Sequence, residues 1–289
     1  MSSRGTIFRR FTRNRSAICG LILLLVVGIL AGLADILSPG RSAEIDLEGS
    51  LSPPSLRHPF GTDPFGRDIC ARVLHGARIS LGVGFLARTI SLVLGLVLGI
   101  AAGYFGGKTD AVLMRLADIT FAFPTLLLLI AVMAVVSPGL TSLIATLGIV
   151  GWAAVARLVR SQVLSVKERD FVRAARSAGA GDMTIIVRHI LPQCISPVMV
   201  VYTLGLGMTI MAEASLSFLG LGVQPPTPSW GRMISSGVAF MRTAPWLTVF
   251  PGLVLTVTVC SLNLVGDGLR DALDPHLNVG RVDTKGIRL

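Results

Sequence analysis

The sequence predicts an all-α membrane protein with six transmembrane helices. Its composition is 52% hydrophobic and only 15% charged, with a mean hydropathy of +0.73, whereas soluble domains are about 25% charged. Six apolar runs are each long enough to cross the ~30 Å hydrocarbon layer. The 26 Lys and Arg fall almost entirely between those runs. A net charge of +10 would suit a nucleic-acid partner only if the basic residues formed one domain. Scattered through loops, they follow the positive-inside rule instead, and no nucleic-acid partner is expected. Cys19, Cys70, Cys194 and Cys260 show no CxxC and no His at ligand spacing, so neither a metal site nor a disulfide framework is read from them.

Residues 1–16 carry Arg4, Arg9, Arg10, Arg13 and Arg15 and no acid. The apolar run 16–37 follows. It contains a small-residue stretch resembling a cleavage site, but it is longer than a usual signal core and more spans follow. It is read as a retained first helix with the N-terminus in the cytoplasm. Residues 38–78 form a polar loop dense in turn formers, such as Ser38-Pro39-Gly40 and Pro53-Pro54, with no room for a membrane-length helix. The second span is 79–105. Gly95, Gly99 and Gly103 recur there every four residues, the spacing that lets helix backbones approach closely.

Residues 106–110, GGKTD, read as a cytoplasmic turn. GKT imitates the end of a phosphate-binding loop, but Ala102 stands where that pattern needs its first Gly, and no strand precedes it. The chain is therefore not expected to hydrolyse ATP. The third span, 112–136, holds Asp118 near its start and Pro124 within it; Pro is tolerated in membrane helices whose neighbours resatisfy the freed carbonyl. The fourth span is 140–159. The fifth, 195–221, contains Glu213, and a Pro-rich loop at 223–245 leads to the sixth, 246–265. The polar tail carries Asp267, Arg270, Asp271 and Asp274-Pro275. No Ser/His, paired-Asp or HExxH arrangement sits in any span, so no catalytic residue is assigned.

Six spans put both termini on one side. With the N-terminus inside, the cytoplasmic segments hold 18 Lys and Arg and the outer loops seven, with Arg88 inside a helix. That bias places both termini and residues 170–192 in the cytoplasm. The chain divides into 1–78 (arm, first helix and outer loop), 79–267 (transmembrane domain) and 268–289 (cytoplasmic tail).

Residues 170–192 read DFVRAARSAGAGDMTIIVRHILP. Good helix formers continue to Ile190, with Asp170 as N-cap. Gly179 and Gly181 suggest two short helices meeting at a bend, and Pro192 stops the second. Ala174, Ala175 and Ala178 make a smooth small face flanked by Arg173 and Arg176. By pattern alone such a segment fits a partner's groove or lies on anionic lipid.

This segment resembles the EAA motif of ABC importer permeases: Glu-Ala-Ala, three residues, Gly, nine residues, Ile, one residue, Leu-Pro. Ala174, Ala175, Gly179, Leu191 and Pro192 match it. Arg173 stands where the general motif has Glu, and His189 where it has Ile, with Ile190 one later. The Arg-Ala-Ala start and the Arg-His-Ile-Leu-Pro end resemble the peptide-permease branch. Three further stretches resemble the C-type subunit of dipeptide and oligopeptide permeases: HPFGTD with FGRD at 58–68; AEASLSFLGLG with PSWG at 212–231; and NLVGD, LRD and LDP at 263–275.

The resemblance implies the type I ABC importer permease fold, with a cytoplasmic coupling helix between helices 4 and 5. It implies a multi-pass protein of the bacterial inner membrane and a heterodimer with a second permease. Two ATPase subunits would use ATP and Mg, and a solute-binding protein would deliver di- or oligopeptides. Nothing in the resemblance gives this chain a cofactor or metal of its own. Nickel, glutathione and opines are alternative cargoes; a proton- or sodium-driven secondary transporter is the alternative mechanism. The coupling-loop candidates are Arg173, Ala174, Ala175, Ala178, Gly179, Ala180, Asp182, His189, Leu191 and Pro192. Arg88 and Glu213 are the notable intramembrane charges, each expensive there, and are expected either to pair or to face a water-filled cavity.

Overall fold

The Asn14 side chain accepts a hydrogen bond from the Ala17 N–H and starts helix α1 (Arg15–Gly32), followed by one turn, α2 (Ala34–Leu37). The computed structural model describes residues 9–273. Arg4 and the tail from Asp274-Pro275 onward lie outside the described residues.

The second helix, α3 (Ile69–Phe105), begins ten residues before the apolar run and is 37 residues long, about 55 Å at 1.5 Å per residue. Asp68 caps it by accepting from the Ala71 N–H at 2.9 Å. Its first turns carry Arg72, His75 and Arg78, and the reading of 38–78 as one loop failed there. Arg72 donates to the Ser42 carbonyl at 3.0 Å, and Arg78 reaches Asp35 at 2.9 Å and the Gly32 carbonyl at 3.0 Å. The helix thus runs on past the apolar layer because the loop and the end of α1 satisfy its charges. The division drawn at 78 falls inside α3, and that at 267 inside the last helix.

The third span is not one helix. α4 (Gly107–Ala122) and α5 (Thr125–Val135) meet at a 93° bend. Phe123 is extended (φ −105°, ψ 139°), as the residue before a Pro prefers. Pro124 has no N–H to continue the ladder. Next, α6 (Leu140–Val150) and α7 (Trp152–Lys167) form one span two turns longer than the apolar run. Two short helices follow, α8 (Asp170–Ser177) and α9 (Asp182–Ile185). α10 (Leu191–Phe218) is the fifth span. The supposed Pro-rich loop contains α11 (Trp230–Gly237), and α12 (Trp246–Leu273) is the last span. Asp267, Arg270 and Asp271 belong to that helix rather than to a tail; Gly268 in its added turns packs against Ala17 of α1.

Among the described residues five helices are long and apolar enough to cross a bilayer, or six when the bent pair is counted as one span. α3 is the central post. α6, α7, α10 and α1 pack along it, and α12 packs on α1 and α10. The glycine stripe sits where the post meets α7. A Cβ on Gly99 would lie 2.6 Å from the Ala156 carbonyl oxygen, and one on Gly103 would lie 2.8 Å from the Val163 Cβ. Clamps fix the end of this contact. Arg160 holds Asp110 bidentately at 2.5 and 2.6 Å, and the Lys167 ammonium donates to the Gly103 carbonyl at 2.9 Å. The residues read as a turn, GKTD, are instead the first turn of α4, and only Gly106 separates the two helices.

Candidate functional site

α8 starts at Asp170 with Arg169 in the cap position, so Asp170 is the first helical residue rather than the N-cap. The helix ends in a Schellman motif. The Ala180 N–H donates to the Ala175 carbonyl and the Gly179 N–H to the Arg176 carbonyl. Gly179 takes φ +85°, the left-handed conformation that this motif requires after the C-cap. Gly181 then caps α9.

α9 does not stop at Pro192. It passes through a wide turn at Ile186–Ile190 into α10, giving a continuous helical run over Asp182–Phe218. The Leu191 N–H bonds to the Ile186 carbonyl, five residues back. Pro normally breaks a helix because it lacks an N–H and its ring meets the carbonyl four residues earlier. A widened turn just before the ring accommodates both. The stretch from Asp182 is therefore a direct extension of the fifth span.

The segment has two faces. Val172, Ile185 and Ile190 are fully buried and pack on Val159, Val163 and Val166 of α7, with Ala180, Ile100 and Tyr104 beside them. The Tyr104 hydroxyl donates to Asp182 at 2.6 Å, tying the end of α3 to the start of α9. On the other face Ala174, Ala178 and Gly179 are exposed, as are Phe171, Met183 and Val187. A Cβ on Gly179 would meet nothing within 4 Å. Ala175 and Leu191 are half-buried, Pro192 is exposed, and the half-buried His189 ring lies 6.3 Å from Phe171. Arg173 reaches Glu168 at 3.1 Å with both side chains 63% exposed, a pair of little energetic weight. The sequence reading missed Tyr104, Phe171, Met183 and Val187. Met183 and Val187 are four apart, and that helical spacing was a usable signal.

Arg88 and Glu213 do not pair. Arg88 lies against Val201 and Gly205 of α10. Glu213 is eight residues further along that helix, about 12 Å of rise. Fully buried, it accepts from Ser217 at 2.7 Å. Ser80 and Ser229 lie close by. The Trp230 indole N–H donates to the Val73 carbonyl at 3.1 Å in the same region, so Glu213 belongs to the joint between α3, α10 and α11. Arg88 instead lines an open cavity of about 560 Å³ between α3, the α4–α5 bend, α6–α7 and α10.

The family described as binding-protein-dependent transport system inner membrane component matches residues 95–279. A second family, the N-terminal TM domain of oligopeptide transport permease C, matches residues 3–54. The chain is 44% identical to the dipeptide transport system permease protein of Alkalihalophilus pseudofirmus, over 93% of this chain and 89% of the relative. It is 45% identical to a glutathione transport system permease protein of Escherichia coli, over the same shares. The fold resembles a solved chain of the MetNI methionine ABC transporter in an inward-facing conformation. The TM-score is 0.58 at 18% identity, covering 71% of this chain and 98% of that one.

Proposed function

The chain belongs to the binding-protein-dependent transport system inner membrane component family, and we propose that it forms half the pore of an ABC importer that carries di- and oligopeptides into the cytoplasm. A second permease supplies the other half. Two ATPase subunits bind and hydrolyse ATP with Mg, and a solute-binding protein delivers cargo from outside. The relatives named for dipeptide and glutathione transport support a peptide cargo over nickel.

The observation that carries the reading is the two-faced segment. One face is packed on α7 and α3, and the other exposes Ala174, Ala178, Gly179, Met183 and Val187. A small, apolar, exposed face on a rigid helical extension suits a partner's groove. Because Asp182–Phe218 is continuous, displacement of the segment is transmitted directly to the fifth span. Such packed elements switch between discrete arrangements rather than deforming smoothly. The charge asymmetry of 18 Lys and Arg against seven supports a cytoplasmic location for this segment and for both termini.

The test is purification of the tagged chain in mild detergent with its partners identified by mass. Wild type should bring down a second permease and ATPase subunits. Ala174→Trp and Ala178→Trp should each lower ATPase recovery at least tenfold while the second permease stays. A homo-oligomer without ATPase, under conditions that preserve known complexes, would overturn the reading in favour of an ion-coupled transporter.

A further inference from the structure

Arg88 lies near the midpoint of α3 and is only 7% exposed. One guanidinium nitrogen donates to the Val201 carbonyl at 2.5 Å, while its Nε has no partner. The group lies over Gly205, where a Cβ would overlap it. The nearby Tyr202 hydroxyl is engaged with Thr89 at 3.0 Å. Among the described residues no carboxylate forms an ion pair with Arg88. A lone cation at this depth is expensive, and one neutral carbonyl does not balance its charge.

The cavity beside it supplies no counter-charge. Its polar lining comprises Thr120, Thr125, Thr209 and Ser215, with Met208 and Met211 among its apolar walls. The hydroxyls of Thr120, Thr209 and Ser215 already donate to carbonyls one turn back, those of Leu116, Gly205 and Met211. Their oxygens are left as acceptors. Arg88 is thus the only charged group in the lining. A volume of about 560 Å³ lies in the ~300–1,000 Å³ range of small-molecule sites. Methionine walls adapt to varied apolar side chains.

We infer that Arg88 takes the carboxylate of the passing peptide, with the cavity hydroxyls accepting hydrogen bonds from the peptide's N–H groups. This rests on the peptide-import reading and adds a specificity determinant within the pore. The planar guanidinium suits a carboxylate bidentately. The carboxylate neutralises an otherwise uncompensated charge for as long as the cargo occupies the cavity.

The experiment uses the complete transporter in proteoliposomes, with its binding protein preloaded to saturation either with a dipeptide or with the same dipeptide amidated at its C-terminus. The readout is the ratio of the two uptake rates, free acid over amide. Arg88→Gln keeps a donor for the Val201 carbonyl but loses the charge, and should lower that ratio at least tenfold. Arg88→Lys should stay within threefold of wild type. Gly205→Ala, which crowds the guanidinium without altering any charge, should lower the ratio in the same direction as Gln. If Arg88→Gln does not assemble, the Lys and Gly205→Ala complexes carry the test.

An unchanged ratio in Arg88→Gln, or equal loss of both uptake rates in Gln and Lys alike, would overturn the inference while leaving peptide import standing. A wild-type complex that assembles with its ATPases yet imports neither peptide would sink the peptide reading and this inference together.

Discussion

The connection at residues 46–68 and the segment at residues 170–190 both carry motif residues, but they satisfy them in opposite ways. In the first, the motif's polar groups turn inward. Asp63 accepts from the backbone N–H groups of Phe65 and Arg67 at 2.8 and 3.0 Å and from the Arg67 side chain at 2.7 Å. Asp68 caps α3 and holds His58 at 2.9 Å. Thr62 donates to the Gly49 carbonyl. Gly66 has φ +73°, and a Cβ there would overlap the Asp46 carbonyl. In the second, Ala174, Ala178 and Gly179 are exposed, and a Cβ on Gly179 would meet nothing within 4 Å. Motif residues answered by their own chain hold the fold; those left unanswered are available to a partner.

The largest effect expected from this contrast is at Gly66. Ala there meets both the left-handed penalty and an overpacked backbone contact, together about 3 kcal/mol. Arg67 is only 18% exposed because it is tied to Asp63, whereas Arg57 is exposed. Trypsin cleavage after Arg67 should therefore rise about a hundredfold in Gly66→Ala, following the open population, with cleavage after Arg57 little changed. Protection of Arg67 equal to wild type would break the comparison on its structural side.

Gly179→Ala should act more gently, since only the left-handed conformation opposes it, at about 1 kcal/mol. Hydrogen exchange at the Ala180 amide, bonded to the Ala175 carbonyl, should quicken about fivefold. Gly179→Asn, which tolerates the conformation, should restore that protection. If the Asn variant regains protection yet recovers fewer ATPase subunits than wild type, the position matters for its smallness to a partner; if recovery equals wild type, its role is the cap alone.

The contrast also shows what was legible in the sequence. Apolar runs gave the number of spans because hydropathy senses the hydrocarbon layer. It does not sense where a helix ends, and α3 and α12 run on through Arg72, His75, Arg78, Asp267 and Arg270, whose polar chains leave the layer without leaving the helix. The glycine stripe was readable because its period is local. The bend at Pro124 and the continuity through Pro192 were not. The same residue ended one helix and sat within another, depending on whether an adjacent wide turn absorbed it. The separation of Arg88 from Glu213 depends on helix registry, which one chain's sequence does not contain. The break at Gly179 was legible because positive φ selects Gly by a rule of the backbone itself.

The smallest effect is the one that separates two ways of moving the segment. Tyr104 donates to Asp182 at 2.6 Å, while Val172, Ile185 and Ile190 bury the same segment against α7. The hydrogen bond is solvent-facing, so Tyr104→Phe should cost only about 0.5 kcal/mol and leave assembly unchanged. Its consequence should appear in coupling, as a rise of about twofold in ATP hydrolysed per peptide imported, because α3 loses its hydrogen bond to the start of α9. A coupling ratio equal to wild type would assign transmission to the apolar packing. In that case Ile185→Ala, which removes a fully buried side chain at about 3 kcal/mol, should uncouple the transporter where Tyr104→Phe does not. The two variants differ in what they break: a directional tie to one helix, or the contact surface that makes the segment rigid.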